Sequence, residues 1–143
     1  MKKFKYKFES ILKVKENFKK QAMKEVALIG KQIEENIAKK ESLIKELNEC
    51  KLSSNKTLMK ISELQFIESH IYFLSKKIQF VDSEMYRLKL QLKMKQKELL
   101  EKTKESKIFQ KMKEARYITH KSEENQEENK MLDELAIQKA SRN

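Results

Sequence analysis

Apolar residues in the second half of the chain fall in alternating steps of three and four: Leu64, Ile67, Ile71, Leu74, Ile78, Val81, Met85, Leu88, Leu92, Lys95 and Leu99, of which only Lys95 is polar. That spacing is the a/d pattern of a coiled coil, sustained over about five heptads, and it predicts a helix with one narrow apolar seam. The first half follows steps of four, four and three through Phe18, Ala22, Val26, Ile29, Ile33, Ile37, Lys40, Ile44 and Leu47, and Phe4, Phe8, Ile11 and Leu12 carry an apolar face toward the N-terminus. A period of eleven residues in three turns predicts a straight or slightly right-handed helix. Beside a heptad partner it predicts weak supercoiling as a compromise.

Between the two patterns the periodicity lapses over residues 51–57, where Ser53, Ser54, Asn55 and Thr57 can bond their own backbone and compete with a helix. This predicts the turn, with Asn55 or Thr57 as N-cap of the second helix, and so short a connection requires the helices to run antiparallel. The expected fold is all-α: two long helices in an antiparallel coiled-coil hairpin, forming a single coiled-coil domain over residues 1–143. Helix one is expected over about 4–50 and helix two over about 58–138. Folding about the turn sets residue i opposite roughly residue 107 minus i, which brings Phe8 near Leu99 and Ile33 near Leu74. Helix two, about 120 Å long against about 70 Å, then leaves some thirty C-terminal residues without an intrachain partner. That overhang carries Ile108, Met112 and Ala115, then Met131, Leu132, Leu135 and Ala136 beyond the polar run 121–130. Either it frays in the free chain or it meets another protein.

Composition supports the helices and narrows the chemistry. The 143 residues hold one glycine, Gly30, and no proline or tryptophan, so little stops a helix; charged and hydrophobic residues make up 38% each, which suits seamed helices better than a globular core. A formal net charge of +11 admits nucleic acid, anionic lipid or an acidic protein surface as partner. Arg87, Arg116 and Arg142 are the only arginines, so the charge reads either as a lysine-coated solvated face or as a basic coiled coil that binds nucleic acid. Interleaved acids, and the negative excess between Lys121 and Glu134, oppose a continuous phosphate track. Lys2, Lys3, Lys5 and Lys7 sit where a helix dipole is already positive and disfavour helix there; they either meet an acidic partner or are tolerated surface lysines.

Cys50 is the only cysteine, which excludes an intrachain disulfide and fits a reducing cytoplasm. No apolar h-region opens the chain and no apolar stretch approaches 18 residues, so neither a signal peptide nor a membrane span is expected. A single glycine excludes a phosphate-cradling loop. His70 and His120 lack clustered Asp, Glu or Cys at ligand spacing, so no metal or cofactor is expected, and His70 reads as an interface or surface histidine. A two-helix hairpin offers no concave pocket in which to tune catalytic carboxylates, and a non-enzymatic protein is expected. Phe66, Tyr72 and Phe73 fall outside the a/d set near the turn, where they either form an interaction site or fill irregular core space.

The opening Phe4-x-Tyr6-x-Phe8-Glu9-Ser10-Ile11-Leu12-x-Val14-Lys15 resembles the start of the FliJ family, the stalk protein of the bacterial flagellar type III export apparatus. The ending Lys130-Met131-Leu132-Asp133-Glu134-Leu135-Ala136, followed by Lys139 and Arg142, is similar to that family's C-terminus, and Phe66-Ile67 stands where members carry a Phe-Ile pair shortly after the turn. The resemblance implies an antiparallel coiled coil like the central stalk of rotary ATP synthases, cytoplasmic and placed at the inner-membrane face beneath the flagellar basal body. It implies three partners: the hexameric export ATPase, FliI, whose pore receives the end carrying both termini; the export gate protein FlhA, approached by the turn-proximal part; and substrate chaperones. Carried onto this chain, Phe4, Phe8, Ile11, Leu12, Leu132, Leu135 and Ala136 are the expected ATPase-facing set. Leu43, Phe66, His70 and Phe73 are the expected gate-facing set. A stalk of the same shape in a virulence-type secretion system is the nearest alternative.

Overall fold

The computed structural model describes residues 3–55 and 60–142. It contains two helices, α1 over Glu9–Ser54 and the longer α2 over Ile61–Ser141, with no strand among the described residues. Contacts gather the chain into two units, one formed by Met1–Gln21 with Leu100–Asn143, the other by Ala22–Leu99. In each unit a stretch of α1 packs antiparallel against a stretch of α2, as the hairpin requires.

In the unit of Ala22–Leu99 the α2 seam follows the heptad pattern closely. Leu74, Val81, Met85 and Leu88 are buried, with Ile67, Ile71, Ile78, Leu92, Lys95 and Leu99 half-buried between and beyond them. Leu64, at the first turn of α2, stays exposed, so the seam starts one step later than its spacing suggested. The α1 side differs from expectation in period. Its covered positions are Ala22, Val26, Ile29, Ile33, Asn36, Lys40, Leu43, Leu47 and Cys50, in strict steps of four and three, whereas Ile37 and Ile44 are exposed beside them. Two helices that stay in contact over many turns must share one period, so α1 takes the polar Asn36 into its seam rather than follow its apolar residues onto another face. The compromise between two periods therefore does not arise. Lys40 remains in the seam because its stem is apolar while its ammonium reaches Asp82 of α2 at 2.7 Å.

The turn lies further along the chain than the polar run suggested. Lys51–Ser54 continue α1: the Ser53 hydroxyl donates to the Glu49 carbonyl and the Ser54 hydroxyl to that of Lys51, so these side chains bond within the helix instead of competing with it. The Asn55 amide donates back to the Leu52 carbonyl, which closes α1 rather than capping α2. Lys60 occupies the N-cap position of α2, its carbonyl accepting from the amides of Glu63 and Leu64; Thr57, the other expected cap, lies outside the described residues, as do Lys56 and Lys2. Moving the centre of the turn moves the register twice as far. Residue i now faces roughly residue 120 minus i, as Glu25 with Lys95 in one unit and Lys15 with Glu105 in the other. Phe8 accordingly meets Phe109 rather than Leu99, and the register set by Glu25 with Lys95 and Lys40 with Asp82 puts Ile33 opposite about residue 87 rather than Leu74.

In the unit of Met1–Gln21 and Leu100–Asn143, α1 begins at Glu9 instead of near residue 4. Phe4, Tyr6 and Phe8 alternate with lysines at a period of two, a pattern for extended chain, and lysines oppose the positive end of a helix dipole. Residues 3–8 are non-helical and lie along α2 as a strap, after which the Phe8 carbonyl accepts the Leu12 amide to start the helix. Leu12 is 2% exposed, Ser106 is buried across from it, and Phe18, expected in the seam, is half exposed with the Lys102 ammonium 5.4 Å above its ring.

Candidate interaction surfaces

The strap is fixed by three aromatic residues. Phe4 packs edge-on against Tyr117, with centroids 5.3 Å apart, and tilts against His120 at 5.4 Å. Tyr6 is 7% exposed, and its hydroxyl donates to the Phe109 carbonyl at 3.1 Å, which gives a buried phenol the partner it needs. Phe8 lies edge-on to Phe109 at 6.3 Å, beneath the guanidinium of Arg116 at 5.6 Å. Just beyond, Glu9 binds the Lys113 ammonium at 3.0 Å, and Glu105 binds that of Lys15 at 3.1 Å. The hydrogen bond from Lys15, reinforced by the charges of Lys102 and Lys15, holds the Glu105 carboxyl below the usual carboxylate range.

The strap carries α2 further under cover than the expected register allowed. Cover ends near His120, which binds Glu124 one turn on, and not near residue 100. Past that point Met131, Leu132, Leu135 and Ile137 are 63, 62, 58 and 69% exposed. The expected ATPase-facing residues therefore divide. Phe4, Phe8 and Leu12 turn toward α2, Leu12 being consumed by the fold, while Ile11, Leu132, Leu135 and Ala136 are exposed. Leu132 lies three helical turns beyond His120, about 18 Å along the axis, so the strap and the terminal apolar cluster are separate surfaces. Tyr6, Arg116 and Tyr117 hold the strap and were not among the residues singled out by spacing; the alternation of Phe4, Tyr6 and Phe8 was the signal for them.

In the unit of Ala22–Leu99, three of the four expected gate-facing residues come together. His70 lies between Phe66 and Phe73 with nearly parallel rings, each centroid 6.4 Å away, and its Nε2 is 3.3 Å from the Glu46 carboxylate on α1. Their spacing of four and three along α2 puts them on one face. Phe66 and Phe73 are 73 and 51% exposed, and the Lys77 ammonium stands 4.7 Å from the Phe73 ring. Leu43 stands apart as a half-buried seam residue. Tyr72 points elsewhere, under Lys76 at 5.4 Å. Glu46 and Lys77 were not expected here.

Among the described residues no group of three His, Cys, Asp or Glu side chains is placed to hold a metal ion, and no helix is long and apolar enough to cross a membrane. The family model described as Flagellar FliJ protein matches residues 4–143. No curated protein and no solved structure matches the chain.

Proposed function

Because the chain belongs to the FliJ family of flagellar export proteins, we propose that it is the non-enzymatic stalk of the flagellar type III export apparatus, binding and activating the export ATPase ring, linking it to the export gate and escorting chaperones. The observation that carries this reading is the bare end of α2. An apolar cluster of Met131, Leu132 and Leu135, exposed past the last covered turn, costs free energy in water and is stabilised by burial in a partner. The Phe66, His70 and Phe73 stack suits a second partner, the gate, at the turn-proximal end of α2. An exposed apolar cluster near the end of α2 and an aromatic stack near its start suit a chain that joins partners.

The test mixes the purified chain with the purified hexameric export ATPase. Hydrolysis should rise on addition of the full chain, and a chain lacking residues 122–143 should bind more weakly and stimulate less. Unchanged hydrolysis with the full chain, together with no detectable complex, would sink the ATPase assignment.

A further inference from the structure

The flank of α2 beside the Phe66 stack repeats beyond it. Phe66, Phe73, Phe80 and Met94 recur at multiples of seven, each one residue before a seam position, and are 73, 51, 67 and 66% exposed. His70, Lys77 and Glu84 fill the intervening steps of four and three. In the unit of Ala22–Leu99, α2 thus carries a second 3.5-period stripe next to the seam that α1 covers. On the α1 side of the same flank, Glu46 reaches His70, Glu25 reaches Lys95, and Leu28 stands one turn past Glu25 with 57% exposure. A helix with two adjoining heptad stripes has room for two neighbours, and the hairpin supplies one.

We infer that this flank receives a third helix, an amphipathic helix of another protein with an apolar heptad seam about four heptads long and acidic edges. This rests on the reading of Phe66, His70 and Phe73 as partner-facing and extends it along α2 to Phe80 and Met94. The acidic edges follow from the cations along the stripe. Lys77 covers the Phe73 ring, and Arg87 occupies the missing step of seven, where it is paired with Glu84 at 2.8 Å, so Lys77 is the cation on the stripe that an acidic edge meets first. Carboxylates on an arriving helix draw the Lys77 ammonium off the ring and leave the ring face to apolar side chains. A second copy is the wrong occupant, because two chains of net charge +11 repel each other.

The experiment titrates the full chain into a labelled synthetic peptide of four heptads with Leu at a and d and Glu at e and g, followed by fluorescence anisotropy at moderate salt. A matched peptide with Lys at e and g is the control. Saturable one-to-one binding of the Glu-edged peptide is expected, weakened about tenfold or more in the Phe73→Ala/Phe80→Ala double variant, which should keep the helix content and thermal midpoint of the parent because both rings are exposed. Equal binding to the double variant, equal binding of the Lys-edged peptide, or no saturable binding overturns the inference. So does a sedimenting mass that doubles with concentration in the parent and not in the variant, which would make a second copy the occupant. A gate domain that fails to bind a chain still binding the peptide would remove the gate assignment and leave the third-helix surface standing.

Discussion

The two units share one helical period and fill it with different chemistry. Between Ala22 and Leu99 the seam is chiefly aliphatic: Ile29, Leu74, Val81 and Leu88 are each at most 4% exposed. Burial of this kind is non-directional and scales with area, about 1.5–3 kcal/mol for each fully covered side chain. In the unit of Met1–Gln21 and Leu100–Asn143 the same positions hold Lys15, Ser106 and Lys113, and the apolar cover comes from aromatic rings of the strap. Hydrogen bonds and partly exposed ion pairs fix how that segment lies, yet each adds little net stability. The aliphatic unit is therefore expected to be the firmer of the two.

The sharpest way to break this contrast is to cut the aliphatic seam. Leu74→Ala removes a side chain that is 2% exposed and should cost about 2–5 kcal/mol, read as a lowered denaturant midpoint with little change in slope. Leu12→Ala, equally buried, lies among Lys15 and Ser106 near the strap and should fall at the low end of that range because its neighbours can relax into the gap. Equal losses from the two substitutions would mean that the units are equally firm. Hydrogen exchange gives an independent reading: amides around Val81 should exchange more slowly than those around Phe109.

Tyr6→Phe probes the strap with less damage. It removes the hydroxyl bonded to the Phe109 carbonyl but keeps the ring, and a loss of about 0.5–1.5 kcal/mol is expected. Faster exchange should stay confined to residues around the strap and α2 near Phe109, and protection lost equally around Val81 would show that the two units open together. Gly30→Ala acts in the opposite direction on the aliphatic unit. Gly30 sits inside α1, no described residue outside glycine or at glycine has positive φ, and a Cβ there meets nothing within 4 Å. The substitution should stabilise by about 0.5–1 kcal/mol through helix propensity alone. A loss instead would mean that this position tolerates no side chain.

The same contrast explains what the sequence made legible. The α2 seam from Ile67 to Leu99 was readable because its aliphatic residues keep one period, and area-driven burial is what such a pattern reports. The α1 seam was misread where Ile37 and Ile44 outweighed Asn36 and Leu43, since periodicity within one helix ignores the partner that sets it. The turn was displaced because Ser53 and Ser54 can bond either inside or outside a helix, and nothing local chooses between them. That one error moved the register and understated the cover on α2. Of the candidate surfaces, the Phe66, His70 and Phe73 stack was implied by the family resemblance, and the steps of four and three between these residues put them on one face of α2. The strap was not anticipated, because its contacts join residues about a hundred positions apart, as Tyr6 with Phe109.

The finest test uses protons, and the two units should weaken at opposite ends of the pH scale. Glu105, in the strap unit, has its carboxyl held below the usual range, chiefly by the hydrogen bond from Lys15. A depressed folded value means that the unfolded chain binds the proton more readily, so the contribution is present above the unfolded value and fades as pH falls through about 4 and below. Lys95, in the aliphatic unit, is held above the ordinary lysine range by hydrogen bonds to Glu25 and then Glu98. Its contribution is present below the unfolded value and fades as pH rises past about 10. Both groups face solvent, so both effects are small. Glu105→Gln should lower the thermal midpoint at pH 7 and converge with the parent toward pH 3, whereas Lys95→Gln should converge with it only in alkali. If the Glu105→Gln gap instead persists unchanged at pH 3, the carboxylate charge is not what ties Lys15 across the seam, and the strap unit owes its register to the aromatic contacts and the Tyr6 hydroxyl.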